Sequence, residues 1–369
     1  MVIKDILIKR AGGKGMSIGH ASDGQTLLVK GAAPGDLADV KIIRKRKKHL
    51  ECVIDHIIKP SPNRREPLCE HAKVCGGCNW QHVNYESQTE FKSQEVQDNL
   101  KRIGNIDSGE FLPIIHAPKE YRYRNKLEFS FSSNRWLSID EINSGVEIKS
   151  RDALGYHAPG MWDKIIDINT CHLQPEPSNA IRLYIRQYAL DHGLSFYHPR
   201  KRIGLLRTMM LRSTQKGKWM LVIQFYESPA EAGIALLNSV AKKFEEISSI
   251  YYAHNTKGND SIYDLDLQLH SGDYDLTEYM PSALDMGKEL SFKIGPKSFY
   301  QTNPAQAHRL YCEVIKLAEI EKEDIVYDLE LWESYSISFI KLLNFNVSDK
   351  LFPFRNSHTL LIIYILKIY

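Results

Sequence analysis

Every one of the 22 glycines in this 369-residue chain lies at or before Gly295. The last alanine is Ala318, and residues 331–369 hold neither Gly nor Ala although 22 of those 39 residues are apolar. Folded domains use glycine at tight turns and helix C-caps, where the backbone must turn left-handed. The 74 residues after Gly295 therefore do not read as the close of the domain that precedes them.

The length predicts two or three domains. With 43% hydrophobic and 25% charged residues, wholesale disorder, a collagen-like rod and a membrane bundle are excluded. No apolar run reaches the ~20 residues of a spanning helix. Met1-Val2-Ile3-Lys4-Asp5 lacks the basic, apolar and small-residue layout of a signal peptide. The expectation is a cytoplasmic protein without membrane contact, whose six cysteines stay reduced and serve as ligands more readily than as disulfides.

Charge is unevenly spread. Residues 1–60 carry 12 Lys+Arg against 6 Asp+Glu, whereas the whole chain is only +3. Arg44-Lys45-Arg46-Lys47-Lys48 supplies most of that excess. Such a run attracts polyanions by phosphate neutralisation, and it also fits a merely solvated loop. Around it, Val2–Ile8, Thr26–Val29, Leu37–Ile43 and Leu50–Ile57 read as short strands separated by Gly, Asp and Pro turn signals. Strands this short and close predict a small closed barrel, which with the basic run predicts nucleic-acid binding.

Beyond the linker Ser61-Pro62-Asn63, Cys69, Cys75 and Cys78 form C-x5-C-x2-C with Gly76 and Gly77 inside the last step. Two sulfurs separated by glycines can face one centre while free N–H groups approach them. Zinc and cubane clusters both commonly take four thiolates, and Cys171 in Asn169-Thr170-Cys171-His172 is the candidate fourth. Spacing alone divides evenly between zinc and an iron–sulfur cluster. Cys52 in a strand pattern and Cys312 on a helical apolar face read as core.

Further along, residues 86–102, 178–192 and 229–246 read as helices, and 127–131 and 219–225 as strands. Asn303-Pro304 marks a helix start, Asn at the N-cap and Pro in the first turn. Asp324–Leu329 reads as a parallel strand of a doubly wound fold, after which a Gly-rich turn should approach a nucleotide-like ligand. The residues there are Glu330-Leu331-Trp332-Glu333, and the turn is missing.

Four stretches together resemble a known family. Gly31-Ala32-Ala33-Pro34-Gly35-Asp36 looks like part of a TRAM barrel, Cys69-x5-Cys75-Gly76-Gly77-Cys78 with Cys171 like a cluster signature. Tyr123-Arg124-Asn125-Lys126-Leu127-Glu128-Phe129 and Ser298-Phe299-Tyr300-Gln301-Thr302-Asn303-Pro304 follow in the same order. On these residues the chain resembles the RNA uracil-5-methyltransferases, especially the iron–sulfur type acting on 23S ribosomal RNA, over residues 1–329.

The resemblance implies a multidomain protein. A TRAM/OB-like β-barrel (1–60) would precede an α+β central domain with the cluster (61–295), whose helix at about 86–103 packs on the catalytic domain. The start of a Rossmann-like α/β methyltransferase domain (296–329) would follow. It implies a [4Fe–4S] cluster on Cys69, Cys75, Cys78 and Cys171 and S-adenosylmethionine contacted by Gln301, while the charge of Arg44, Lys45, Arg46, Lys47 and Lys48 makes them the candidate RNA contacts. It implies no protein partner, and the chain is expected to be a monomer. Without the family, Gln301 also reads as a local helix-capping amide.

The chemistry implied is demanding. Uracil C5 is too poor a nucleophile to take a methyl group unaided. Cysteine addition at C6 creates an enolate that attacks the sulfonium methyl, a base removes the C5 proton, and the nucleotide has to leave its stack to be reached. In the family the nucleophilic Cys and the base Glu lie beyond the first cofactor loop. Here the only cysteine after Cys171 is Cys312, ahead of the cofactor strand, and residues 330–369 contain none. The expectation is a frameshift or other disruption near codon 330, an aberrant tail over 330–369, and a chain without catalytic residues. The alternative is a non-catalytic RNA-binding iron–sulfur or zinc protein.

Overall fold

The computed structural model describes residues 1–318 except 108, 149 and 284–286, and beyond them the strand segments Ile325–Asp328, Asn346–Val347 and Leu361–Ile363. The chain divides into two compact units. One comprises residues 1–120, 134–149 and 155–172, the other 121–133, 150–154 and 173–369.

The first unit opens with five strands, β1 (Val2–Ala11), β2 (Met16–His20), β3 (Thr26–Lys30), β4 (Leu37–Lys45) and β5 (His49–Lys59). They close into a barrel in the order β1-β2-β3-β5-β4. The β3–β5 pair is parallel and the others antiparallel. Alternate residues point inward, so Ile6, Ile8, Leu27, Val29, Val40 and Cys52 fill the centre, and Cys52 is core as expected. Closure removes the unpaired edges that an open sheet would present.

Strand β2 lies in a stretch where Gly15 and Gly19 are among the glycine turn signals of the sequence. Gly19 instead lies inside the strand, opposite Ile8. A Cβ there would come within 2.7 Å of Ile6 Cγ2, so the glycine serves close packing of β2 on β1 rather than chain reversal.

Asp36 ties the barrel to the linker that follows it. Its fully buried carboxylate accepts from Ala33 N (2.6 Å), Ser61 N (2.9 Å), and Arg64 Nε and Nη2 (2.7 Å each). Arg64 Nη2 also donates to Gly31 O at 2.8 Å. This network gives the Gly31–Asp36 stretch a physical reason: both ends of a tight turn and the chain 25 residues later share one carboxylate.

Helix α1 (Tyr85–Arg102) begins on Asn84, whose side chain accepts from Ser87 N at 2.8 Å. Its apolar residues are not deeply buried. Ser87 and Thr89 are the buried positions, and Val96 is 52% exposed. Phe91 sets its ring edge-on to Trp80, Trp80 Nε1 donates to Gly15 O at 3.0 Å, and Asp98 pairs with Arg10 at 2.9 Å.

In the second unit, β6 (Lys126–Ser132), β9 (Leu206–Ser213), β10 (Trp219–Phe225), β11 (Ile247–His254) and β12 (Gln268–Gly272) form consecutive strands in the order β12-β11-β10-β9-β6. The chain reaches β9 through the short helix α2 (Ile139–Asn143), the hairpin β7 (Ala153–Ala158) and β8 (Met161–Asp167), and the helix α3 (Ser178–Asp191). Every residue of β9 and β10 is buried, so both faces of the sheet are covered. On one face helix α4 (Ala230–Lys243) sets Gly233 against the Phe225 ring. On the other, the hairpin β13 (Leu276–Pro281) and β14 (Glu289–Ile294) packs Leu276, Met280 and Phe292 over Met210, Met220 and Val222. Tyr311 and Ile315 of α5 (Pro304–Ala318) rest against the same cluster.

The strand read at Asp324–Leu329 is β15 (Ile325–Asp328), paired in parallel with Asn346–Val347 and Leu361–Ile363. The expected aberrant tail over 330–369 otherwise lies outside the described residues. No helix among the described residues is long and apolar enough to cross a membrane.

Candidate functional site

The basic run forms the tip of the β4–β5 hairpin, with Arg44 and Lys45 ending β4 and Arg46, Lys47 and Lys48 in the turn. The turn closes through Arg46 N donating to His49 O at 3.0 Å. All five side chains are exposed, but they are not equivalent. Arg46 Nε donates to Glu51 at 2.7 Å and holds that carboxyl below its usual range. Arg44, Lys45, Lys47 and Lys48 are exposed cations that an approaching polyanion would meet.

The four cysteines of the sequence signature fall in the first unit. Cys69, Cys75 and Cys78 sit in one irregular loop braced by Ala72 N to Cys69 O (3.0 Å) and Cys75 N to His71 O (2.8 Å). Gly76 adopts φ +71° and lies so close to the β7–β8 turn that a Cβ would meet Pro159 Cγ at 2.5 Å. Strand β8 then carries the chain to Cys171, which is 8% exposed. Asn169 N donates to His71 Nε2 at 3.0 Å, Cys69 Sγ lies 3.9 Å from Thr170 O, and the Tyr156 hydroxyl lies 3.7 Å from Cys171 Sγ.

Burial raises the Cys69 thiol above its ordinary range, and the neighbouring Cys171 and Cys78 raise it further, against a hydrogen bond from the His71 backbone. Burial likewise pushes Cys75 up to about 11, opposed by the Gly77 backbone N–H and reinforced by Cys78, Cys171 and Cys69. Thiols that repel one another as thiolates ionise together only when a cation accompanies them. The donor set fits an iron–sulfur cluster in kind: four soft sulfurs, with backbone N–H groups directed at two of them. Among the described residues no group of three or more His, Cys, Asp or Glu side chains is placed to hold a metal ion.

Gln301 lies in the loop between β14 and α5. The cap of α5 is Asn303, whose side chain accepts from Gln306 N at 3.2 Å and whose carbonyl accepts from Ala307 N at 2.9 Å. The capping role is therefore taken, and among the described residues the Gln301 carboxamide makes no hydrogen bond of its own. Its backbone carbonyl accepts from Asn125 Nδ2 at 3.0 Å. Cys312 is half-buried one helical turn after His308, with 3.5 Å between Sγ and Nε2, and burial raises its thiol.

Several residues around these sites were not legible as such. Asn125 belongs to one of the stretches that carry the resemblance, with nothing local to mark a role for it. Tyr156 and His71 give no signal, since nothing local marks a side chain that will meet Cys171 15 residues on or Asn169 N 98 residues on. Arg212 sits in a strand that was not read at all.

A closed barrel carrying a basic hairpin, followed by a mixed sheet and the opening of a parallel one, defines an RNA-binding protein with a methyltransferase-like fold. Residues 3–53 match the TRAM domain. An RNA methyltransferase of Porphyromonas gingivalis is 41% identical over 312 residues, covering 83% of this chain and 66% of the relative. One of Bacteroides thetaiotaomicron is 39% identical over 319 residues, covering 86% and 68%. The crystal structure of Pyrococcus abyssi tRNA (uracil-54, C5)-methyltransferase in complex with S-adenosyl-L-homocysteine superposes with a TM-score of 0.62 at 24% identity, over 92% of this chain and 71% of that one. The chain belongs to the RNA methyltransferase family, and it spans about two thirds of the length of the curated relatives it matches.

Proposed function

We propose that the chain is the RNA-binding, cluster-binding and cofactor-approaching part of an S-adenosylmethionine-dependent RNA (uracil-5-)-methyltransferase of the iron–sulfur type, with 23S ribosomal RNA as its substrate and the cytoplasm as its site. The observation that supports this reading is the contact of the Asn169–Cys171 segment with the Cys69–Cys78 loop, through His71 Nε2 at 3.0 Å and Cys69 Sγ at 3.9 Å, within the unit that holds the TRAM barrel. A [4Fe–4S] cluster on Cys69, Cys75, Cys78 and Cys171 is the proposed occupant. Arg44, Lys45, Lys47 and Lys48 bind the RNA backbone, and Gln301 offers its carboxamide to S-adenosylmethionine, which supplies the methyl group when bound.

Attack at uracil C6 would require a cysteine beyond the cofactor strand, and none of the residues after Asp328 is one. These 369 residues are proposed to bind RNA without completing the transfer on their own. Incubation with labelled S-adenosylmethionine and unmodified 23S RNA is expected to leave the RNA unlabelled. Label at uracil C5 would show that the chain supplies its own nucleophile, and label at another base would overturn the uracil assignment.

A further inference from the structure

We infer that Asn125 and Arg212 are positioning residues that fix the Gln301 loop for its ligand; the inference rests on Gln301 as the cofactor contact. The two stretches that gave the resemblance, Tyr123–Phe129 and Ser298–Pro304, are 176 residues apart at their point of contact, and the structure places them side by side in one unit. Asn125, 9% exposed, uses three groups at once. Its backbone N donates to Thr302 O at 3.0 Å and its Nδ2 to Gln301 O at 3.0 Å, while its own carbonyl accepts from Ser213 N at 2.8 Å.

Arg212 holds the other end of the loop. Its guanidinium, on a residue 3% exposed, donates from Nη1 to Gly295 O at 2.9 Å and from Nη2 to Ser298 O at 2.8 Å. Arg212 is the cross-strand partner of Lys126, the residue after Asn125. The two anchors thus stand at neighbouring positions, Asn125 immediately before β6 and Arg212 on β9.

Between them Tyr300 is buried in the core against Phe292, and Asn303 caps α5. The backbone is therefore held at 295, 298, 301, 302 and 303, while the Gln301 carboxamide stays uncommitted among the described residues. A fixed backbone carrying an unpaired polar head is a preorganised ligand group: binding does not have to order the loop first. Asn125 holds the backbone at Gln301 and Thr302, and Arg212 holds it at Gly295 and Ser298, so the backbone is fixed at and ahead of that head group.

S-adenosylhomocysteine titrated into the full chain by calorimetry tests this. Gln301→Ala and Asn125→Ala are each expected to weaken binding about tenfold, the net worth of one hydrogen bond. The double variant is expected to be no weaker than Gln301→Ala alone, because Asn125 acts through Gln301. If Asn125→Ala does not fold, Asn125→Asp, similar in size but unable to donate to Gln301 O, replaces it. Binding that falls with Gln301→Ala but not with Asn125→Ala, or that falls additively in the double variant, overturns the inference alone. No binding by the unaltered chain, or none of the effect with Gln301→Ala, overturns the cofactor reading and the inference with it.

Discussion

Replacing Arg44, Lys45, Lys47 and Lys48 together by glutamine is expected to weaken RNA binding about 10²–10³-fold at 0.1 M salt. Each phosphate contact on single-stranded nucleic acid contributes about 0.7 to the slope of log affinity against log salt. Four lost contacts flatten that slope by about 3 and remove about the same number of decades at 0.1 M. Arg46→Gln alone should change the slope far less, because Arg46 already spends its charge on Glu51 at 2.7 Å. Filter binding of 23S RNA fragments across a salt series checks both. An unchanged slope in the fourfold variant would place the RNA on another face.

Asp36→Ala is expected to destabilise the barrel by about 3–5 kcal/mol, the cost of breaking a buried, hydrogen-bonded ion pair from one side. The change leaves the largely buried Arg64 guanidinium without its carboxylate and removes the acceptor of Ala33 N and Ser61 N. Burial alone would raise the Asp36 carboxyl, but the Arg64 bond, the two backbone N–H groups and the Arg64 charge outweigh it and hold the group below its ordinary range. The sign follows from linkage. The stabilisation is fully present above the unfolded value of about 4 and is lost as pH falls through the lower folded value. Urea unfolding of the unaltered chain should therefore weaken below about pH 4, and the Asp36→Ala chain should lack that part of the acid sensitivity. An alanine chain as stable as the parent at pH 7 would remove Asp36 from the account of how the barrel closes.

What the sequence disclosed, it disclosed through local rules. Asn303 marks a helix start because capping is decided within three residues. Leu27 and Val29 alternate with outward residues because a half-buried strand has a period of two. The basic hairpin and three of the four cysteines were visible for the same reason.

The failures lie where distant chain decides. Gly19 looked like a turn because its reason is Ile6, 13 residues earlier and across a strand pair. Strand β9 was unreadable because Arg207, Thr208 and Arg212 interrupt its apolar residues. Both arginines are buried there, since each binds backbone carbonyls from loops much further along. Arg207 donates to Asn255 O, Lys257 O and Asn259 O, and Arg212 to Gly295 O and Ser298 O. No sequence pattern announces an arginine that will bind carbonyls. Asn125 is the functional counterpart: its stretch was recognisable, but its partner Gln301 was visible only in space.

The proposal turns on the cysteine centre, because the cluster is what directs this chain toward the iron–sulfur type and ribosomal RNA. Iron, acid-labile sulfide and zinc measured on anaerobically purified protein test it directly. The account predicts a brown protein with about four iron and four sulfide per chain, both lost in Cys171→Ser. A colourless protein holding one zinc per chain, or a cluster that survives Cys171→Ser, would contradict it.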